Sequence, residues 1–123
     1  MKSILVIEDN QEILENTAEI LELAAYKVYT ASNGKAGIEI ALENIPDLII
    51  CDVKMPVLDG FGTLQEISKI PKLQKIPFIF LSAKTEQKEI KEGILSGADD
   101  YLLKPFDEAD LIKAIEAKIN KSR

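Results

Sequence analysis

Five polar side chains follow short apolar runs, where they could share one site. Residues 4–7 run into Glu8 and Asp9, 48–51 into Asp52, 78–81 into Ser82, and 100–103 into Lys104. Singly, each carboxylate reads as well as a helix cap or a loop residue. Gathered together, three carboxylates repel one another and resist ionisation unless a cation joins them. Mg2+ meets that need, because it prefers oxygen ligands, keeps several waters and pairs one or two carboxylates with phosphate oxygens. Glu8, Asp9 and Asp52 bring no nitrogen or sulfur, which disfavours zinc and copper. A carboxylate screened in this way can attack phosphorus to give an acyl phosphate. Lys104 and the Ser82 hydroxyl are then the natural partners for the remaining phosphoryl oxygens.

Composition removes many rivals. The chain has 123 residues, 46% of them hydrophobic and 29% charged, which fits one domain spanning 1–123. Histidine is absent, so a Ser-His-Asp triad, a histidine-bound zinc and a phosphohistidine carrier are excluded. Cys51, the single cysteine, has no internal disulfide partner and reads as strand packing. With 15 basic and 21 acidic residues, a net charge of −6 and Arg123 as the one arginine, a nucleic-acid surface is not expected. No apolar run is long enough for a signal peptide or membrane span, so the expected location is cytoplasmic, with no membrane partner.

The elements that must position these residues alternate along the chain. Runs 4–7, 48–51 and 78–81 are continuous and β-rich, as expected of strands covered on both faces; 27–31 and 100–103 are weaker strands. Between them Ile13, Leu14, Ala18, Leu21 and Ala25 recur at helical steps. Glu12, Glu15, Glu19 and Glu22 form a stripe that reads first as solvated surface, with partner docking the alternative. Further helices are expected over 34–43, about 61–69, 86–96 and 108–120, the last with Asp107 as N-cap and Leu111, Ile112, Ile115 and Ile119 as its buried stripe. Gly97-Ala98 breaks the pattern before the fifth strand, and the stretch from Pro71 to Pro77 reads as a loop. The fold class is α/β, a doubly wound parallel sheet with helices on both faces, whose ligands bind beyond the carboxyl ends of the strands.

The ordered set Ile4-Leu5-Val6-Ile7-Glu8-Asp9, then Asp52 with Met55-Pro56 and Asp59-Gly60, then Leu81-Ser82-Ala83, then Tyr101-Leu102-Leu103-Lys104-Pro105-Phe106 resembles the receiver domain of two-component response regulators. The resemblance covers nearly the whole chain. It implies five parallel strands in the flavodoxin-like order 2-1-3-4-5. It also implies that Asp52 accepts a phosphoryl group from a sensor histidine kinase or a phosphotransfer protein, with Mg2+ as cofactor. Asp9 and Asp52 would bind the metal directly, Glu8 mainly through water, and the backbone carbonyl of Lys54 would complete the protein ligands. Ser82 and Lys104 would contact the phosphoryl oxygens, with the backbone of Lys54 and Ala83 beside them, and Tyr101 would be the aromatic switch that follows Ser82. A cis peptide between Lys104 and Pro105 is implied too. Such a domain is a phosphoacceptor for signalling, catalysing only its own phosphorylation and dephosphorylation.

This sequence departs from the family pattern in places. Glu8 stands where aspartate is more usual, and Ser82 where threonine is commoner. Lys54 and Lys84 occupy variable positions that influence attack of water on the acyl phosphate. Rivals fail at named residues: a haloacid-dehalogenase-type phosphatase wants a second aspartate where Lys54 stands, and Glu8-Asp9-Asn10 would repel a flavin phosphate. A receiver-like adaptor that works without phosphorylation is the remaining alternative. Residues 69–123 hold 11 basic and 9 acidic residues against 4 and 12 before them, giving +2 and −8. Few residues follow the last helix, so the expectation is a stand-alone receiver acting through an unidentified protein target, or through phosphorylation-dependent homodimerisation by the last two helices.

Overall fold

The structure is a computed structural model that describes residues 1–83 and 97–119. Its elements run β1 (Ser3–Ile7), α1 (Gln11–Leu23), β2 (Lys27–Ala31), α2 (Gly34–Asn44), β3 (Leu48–Asp52), α3 (Gly60–Ser68), β4 (Phe78–Ala83), β5 (Asp100–Lys104) and α4 (Glu108–Ile119). The five strands form one parallel sheet in the order β2-β1-β3-β4-β5, the arrangement implied by the resemblance. The expected helix over 86–96 and Lys84 lie outside the described residues, as does Asn120 at the end of the last helix.

The continuous apolar runs become the three central strands because both sheet faces are covered. Leu5, Ile7, Ile49, Cys51, Phe78 and Phe80 face one core with Leu64 and Ile67 of α3 and Ala41 of α2. Ile4, Val6, Leu48, Ile50, Ile79 and Leu81 face the other, with Leu14 and Leu21 of α1 and Leu111, Ile115 and Ile119 of α4. Each buried Val, Leu, Ile or Phe contributes roughly 1.5–3 kcal/mol by leaving water, which holds the strands between the helices. Leu73, in the loop between Pro71 and Pro77, is fully buried and pins that loop to the first core.

Every described helix starts on an Asx cap. Asn10 accepts from Ile13 N at 3.1 Å, Asn33 from Ala36 N at 2.8 Å, Asp59 from Gly62 N at 2.7 Å and Asp107 from Asp110 N at 2.8 Å. Each satisfies one of the donors that a helix N-terminus leaves unpaired, worth about 1 kcal/mol. The expected stripe on α1 needs correcting at its end. The buried residues are Leu14, Thr17 and Leu21, whereas Ala25 lies beyond the helix, exposed, at φ 71°. Ala24 already caps the helix there, so the periodic apolar signal outlasts the hydrogen bonding. Gly97, at φ +121°, occupies a conformation that glycine adopts freely, as the break before β5 requires.

Candidate functional site

Strand register brings the polar ends together. Ile7 pairs with Cys51, so the next residues, Glu8 and Asp52, leave β1 and β3 side by side. Asp52 pairs with Leu81, and Ala83 with Lys104, which sets Ser82 and Lys104 at the same edge. Carboxylate oxygens of Glu8, Asp9 and Asp52 all lie within 4.8 Å of one another. Asp9 is exposed, whereas Glu8 and Asp52 are 1% and 5% exposed. Lys104 closes the group: its Nζ is 2.8 Å from Asp52 Oδ1 and 3.1 Å from Glu8 Oε1. The Lys104–Pro105 peptide is cis.

The ionisation of these groups follows from their surroundings. Burial pushes the Glu8 carboxyl up from 4.5 to about 7; the Asn10 backbone N–H opposes the rise, Asp52 adds to it and Lys104 opposes it. Asp52 is raised as well, first by burial, with Lys104 acting against it and the charge of Asp9 adding. For Lys104 burial favours the neutral form, but Asp52 and Glu8 reverse the balance and hold the ammonium protonated above its ordinary value. Among the described residues, the site is therefore a crowded acidic pocket with one internal cation, Lys104. Ser82 is fully buried and its Oγ has no hydrogen-bond partner among the described residues, an unusual state for a hydroxyl in a protein interior.

The remaining expected residues ring this centre. Lys54 lies exposed in the loop after β3, and Ala83 ends β4 directly after Ser82. Tyr101 sits in β5 opposite Phe80, 39% exposed, away from the carboxylates along its strand. Cys51 is fully buried; desolvation holds its thiol well above the ordinary value, in keeping with packing and not reactivity.

Two residues that the sequence names only within its motifs have specific contacts at the site. Asn10 does more than cap α1: its backbone N–H donates to Glu8 Oε2 at 3.2 Å and so fixes that carboxylate. Asparagine directly before a helical period was the available signal. Gly60 is the other. Its N–H donates to Val53 O at 2.8 Å, and a Cβ there would overlap Asp52 O and stand 2.9 Å from Val53 Cα. Asp59-Gly60 is thus a turn that packs the start of α3 against the backbone of Asp52. Beside the site, a concavity of about 300 Å³ is lined by Ile13, Asn16, Lys104, Pro105 and Phe106.

Comparison with known proteins agrees with this geometry. A transcriptional regulatory protein of Bacillus subtilis, YrkP, itself uncharacterized, is 36% identical over 118 residues, which are 96% of this chain and 49% of that protein. The chain spans about half the length of the curated relatives it matches. Among solved structures, a response regulator receiver domain protein from Clostridium thermocellum superposes with a TM-score of 0.92 at 36% identity, covering 98% of this chain and 96% of that one. The receiver domain of the sensor histidine kinase PA1611 from Pseudomonas aeruginosa, solved with a magnesium ion coordinated in its active-site cleft, gives 0.90 at 29% identity and 98% of both chains. The model of the response regulator receiver domain matches residues 4–116, and with the five-stranded order and the acidic site at its carboxyl edge, the chain belongs to that family.

Proposed function

We propose that Asp52 is the phosphoacceptor and that residues 1–123 work as one receiver domain. The observation that carries this reading is the meeting of three carboxylates within 4.8 Å, closed by Lys104 at 2.8 Å from Asp52 Oδ1. An Asp52 oxygen attacks the phosphorus of a phosphohistidine on a histidine kinase or phosphotransfer protein. The P–O bond forms as the P–N bond breaks, and the imidazole leaves with a proton. Lys104 pairs with the phosphoryl oxygens as they approach Asp52, and the Ser82 hydroxyl, without a partner among the described residues, gains an acceptor. Water later attacks phosphorus and releases inorganic phosphate, restoring the aspartate.

The donor set fits Mg2+: hard oxygens only, on three carboxylates whose ligand atoms lie within 4.8 Å of one another. Asp9 and Asp52 would ligate directly, Glu8 through water, and the Lys54 carbonyl would add a further oxygen. Bound there, the ion would neutralise carboxylate charge and orient the phosphoryl oxygens. Tyr101 follows Ser82 inward when the hydroxyl engages the phosphoryl group, which changes the surface around β5 and α4. Output is a change in protein contacts, and a cytoplasmic location belongs to the same reading. Several matched relatives are transcriptional regulators of twice this length, so a transcriptional response is one destination for that output.

Intact mass after incubation with acetyl phosphate tests the assignment. One phosphoryl group is expected on the native chain with Mg2+, little with EDTA and none on Asp52→Asn. Equal uptake by native and variant proteins would reject it.

A further inference from the structure

We infer that Thr63 is a positioning residue for Asp52: its buried hydroxyl ties the carbonyl at the far end of the phosphoacceptor loop to the thiol just before the phosphoacceptor. This rests on the reading of Asp52 as the residue that takes the phosphoryl group, and adds a residue of α3 to the machinery that aims it. Thr63 is fully buried. Its Oγ1 donates to Asp59 O at 2.7 Å, a carbonyl that already accepts the Thr63 N–H at 2.9 Å. The hydroxyl proton is thereby spent, and the oxygen's lone pairs are left to the Cys51 thiol, with which it hydrogen-bonds. The thiol also donates to Asp52 O at 3.4 Å. One S–H is thus shared between the α3 hydroxyl and the peptide of the phosphoacceptor.

Packing alone does not call for a threonine here. A buried hydroxyl costs free energy unless it is bonded, and valine would fill the same volume without that cost. The hydroxyl is also closely held. A Cβ on Gly34, the first residue of α2, would overlap Thr63 Oγ1 and stand 2.8 Å from Leu58 O in the loop. The start of α2 therefore closes over the hydroxyl and the loop together, and neither can shift far without meeting backbone. Without the hydroxyl, the S–H turns wholly to Asp52 O and Asp59 O keeps only the N–H. The side-chain tie between the two ends of the loop is then cut, and the peptide that carries the Asp52 carboxylate tilts away from the line of attack.

Two variants separate this role from space filling. Thr63→Val keeps the volume and removes the hydroxyl; Thr63→Ser keeps the hydroxyl and removes a methyl group. Phosphorylation by acetyl phosphate at saturating Mg2+, followed by intact mass, should run about threefold or more slower in Thr63→Val than in Thr63→Ser, which should stay near the native rate. Space filling gives the reverse order, and a Thr63→Val rate within that factor of Thr63→Ser, or above it, overturns the inference. Infrared spectroscopy supplies a readout that needs no phosphorylation. Cys51 is the single cysteine, so the S–H stretching band belongs to one thiol. The band should move in Thr63→Val and keep its native position in Thr63→Ser; an unmoved band in Thr63→Val also overturns the inference. A native chain that takes up no phosphoryl group overturns the phosphoacceptor reading and the positioning role with it, while the band still reports whether the tie exists.

Discussion

In the metal-free protein, stability should fall as pH rises from about 4.5 to about 7, and Glu8 should carry much of that fall. Its carboxyl is held at about 7 in the folded state, against 4.5 for the ordinary group. Between these values the folded chain binds a proton at Glu8 that the unfolded chain has released, so unfolding becomes easier with each step up in pH. The cause is burial, only partly offset by the Asn10 N–H and Lys104. At about 1.4 kcal/mol per pH unit, the window is worth on the order of 3 kcal/mol. Glu8→Gln keeps the length and removes the titration. Above pH 7 it should gain up to that amount, less roughly 1 kcal/mol for the weakened contact with Lys104. Urea unfolding in EDTA between pH 5 and 8 measures both curves. Asp52 is raised too, so the variant should keep a shallower slope in place of none. A native curve that rises through this window, or a Glu8→Gln curve of unchanged slope, would refute the reasoning.

Two further outcomes follow from other parts of the fold. Gly60→Ala should cost about 1–3 kcal/mol in urea unfolding and slow phosphorylation, because its Cβ meets the backbone of Asp52 and Val53, which cannot swing aside as a side-chain tip can. Adding beryllofluoride with Mg2+ should shift amide signals at Tyr101 and along α4 as well as in the Asp52 loop; changes confined to the loop would remove Tyr101 from the switch.

Most of the sheet was legible because its central strands are buried on both faces, where apolar content alone marks them. Positions 4–7, 48–51 and 78–81 each lie within an observed strand, with ends extended by a residue or two where pairing continues into Asp52 or Ser82. The site residues were legible for a related reason: in a parallel sheet, a polar group just past an apolar run must emerge at the shared carboxyl edge. What pattern could not give was distance between elements far apart in sequence. The Glu8–Lys104 pair spans 96 positions and depends on the order of all the strands between them. Gly60 was hidden likewise, because its value lies in a close approach to Asp52, and the Asp-Gly pair looks the same in any turn. At the end of α1, Ala25 kept the helical period after the chain had left the helix, since periodicity records side-chain type and not backbone hydrogen bonds.

The most direct test of the central claim is chemical location of the phosphoryl group. Borohydride reduces an acyl phosphate to the alcohol, so an aspartate that carried the group becomes homoserine at its own position. After phosphorylation from a small donor with Mg2+, peptide mapping should find homoserine at residue 52 and nowhere else in the chain. Homoserine at Asp9 or Asp59, or a phosphoryl group that resists reduction because it sits on a hydroxyl, would contradict the account.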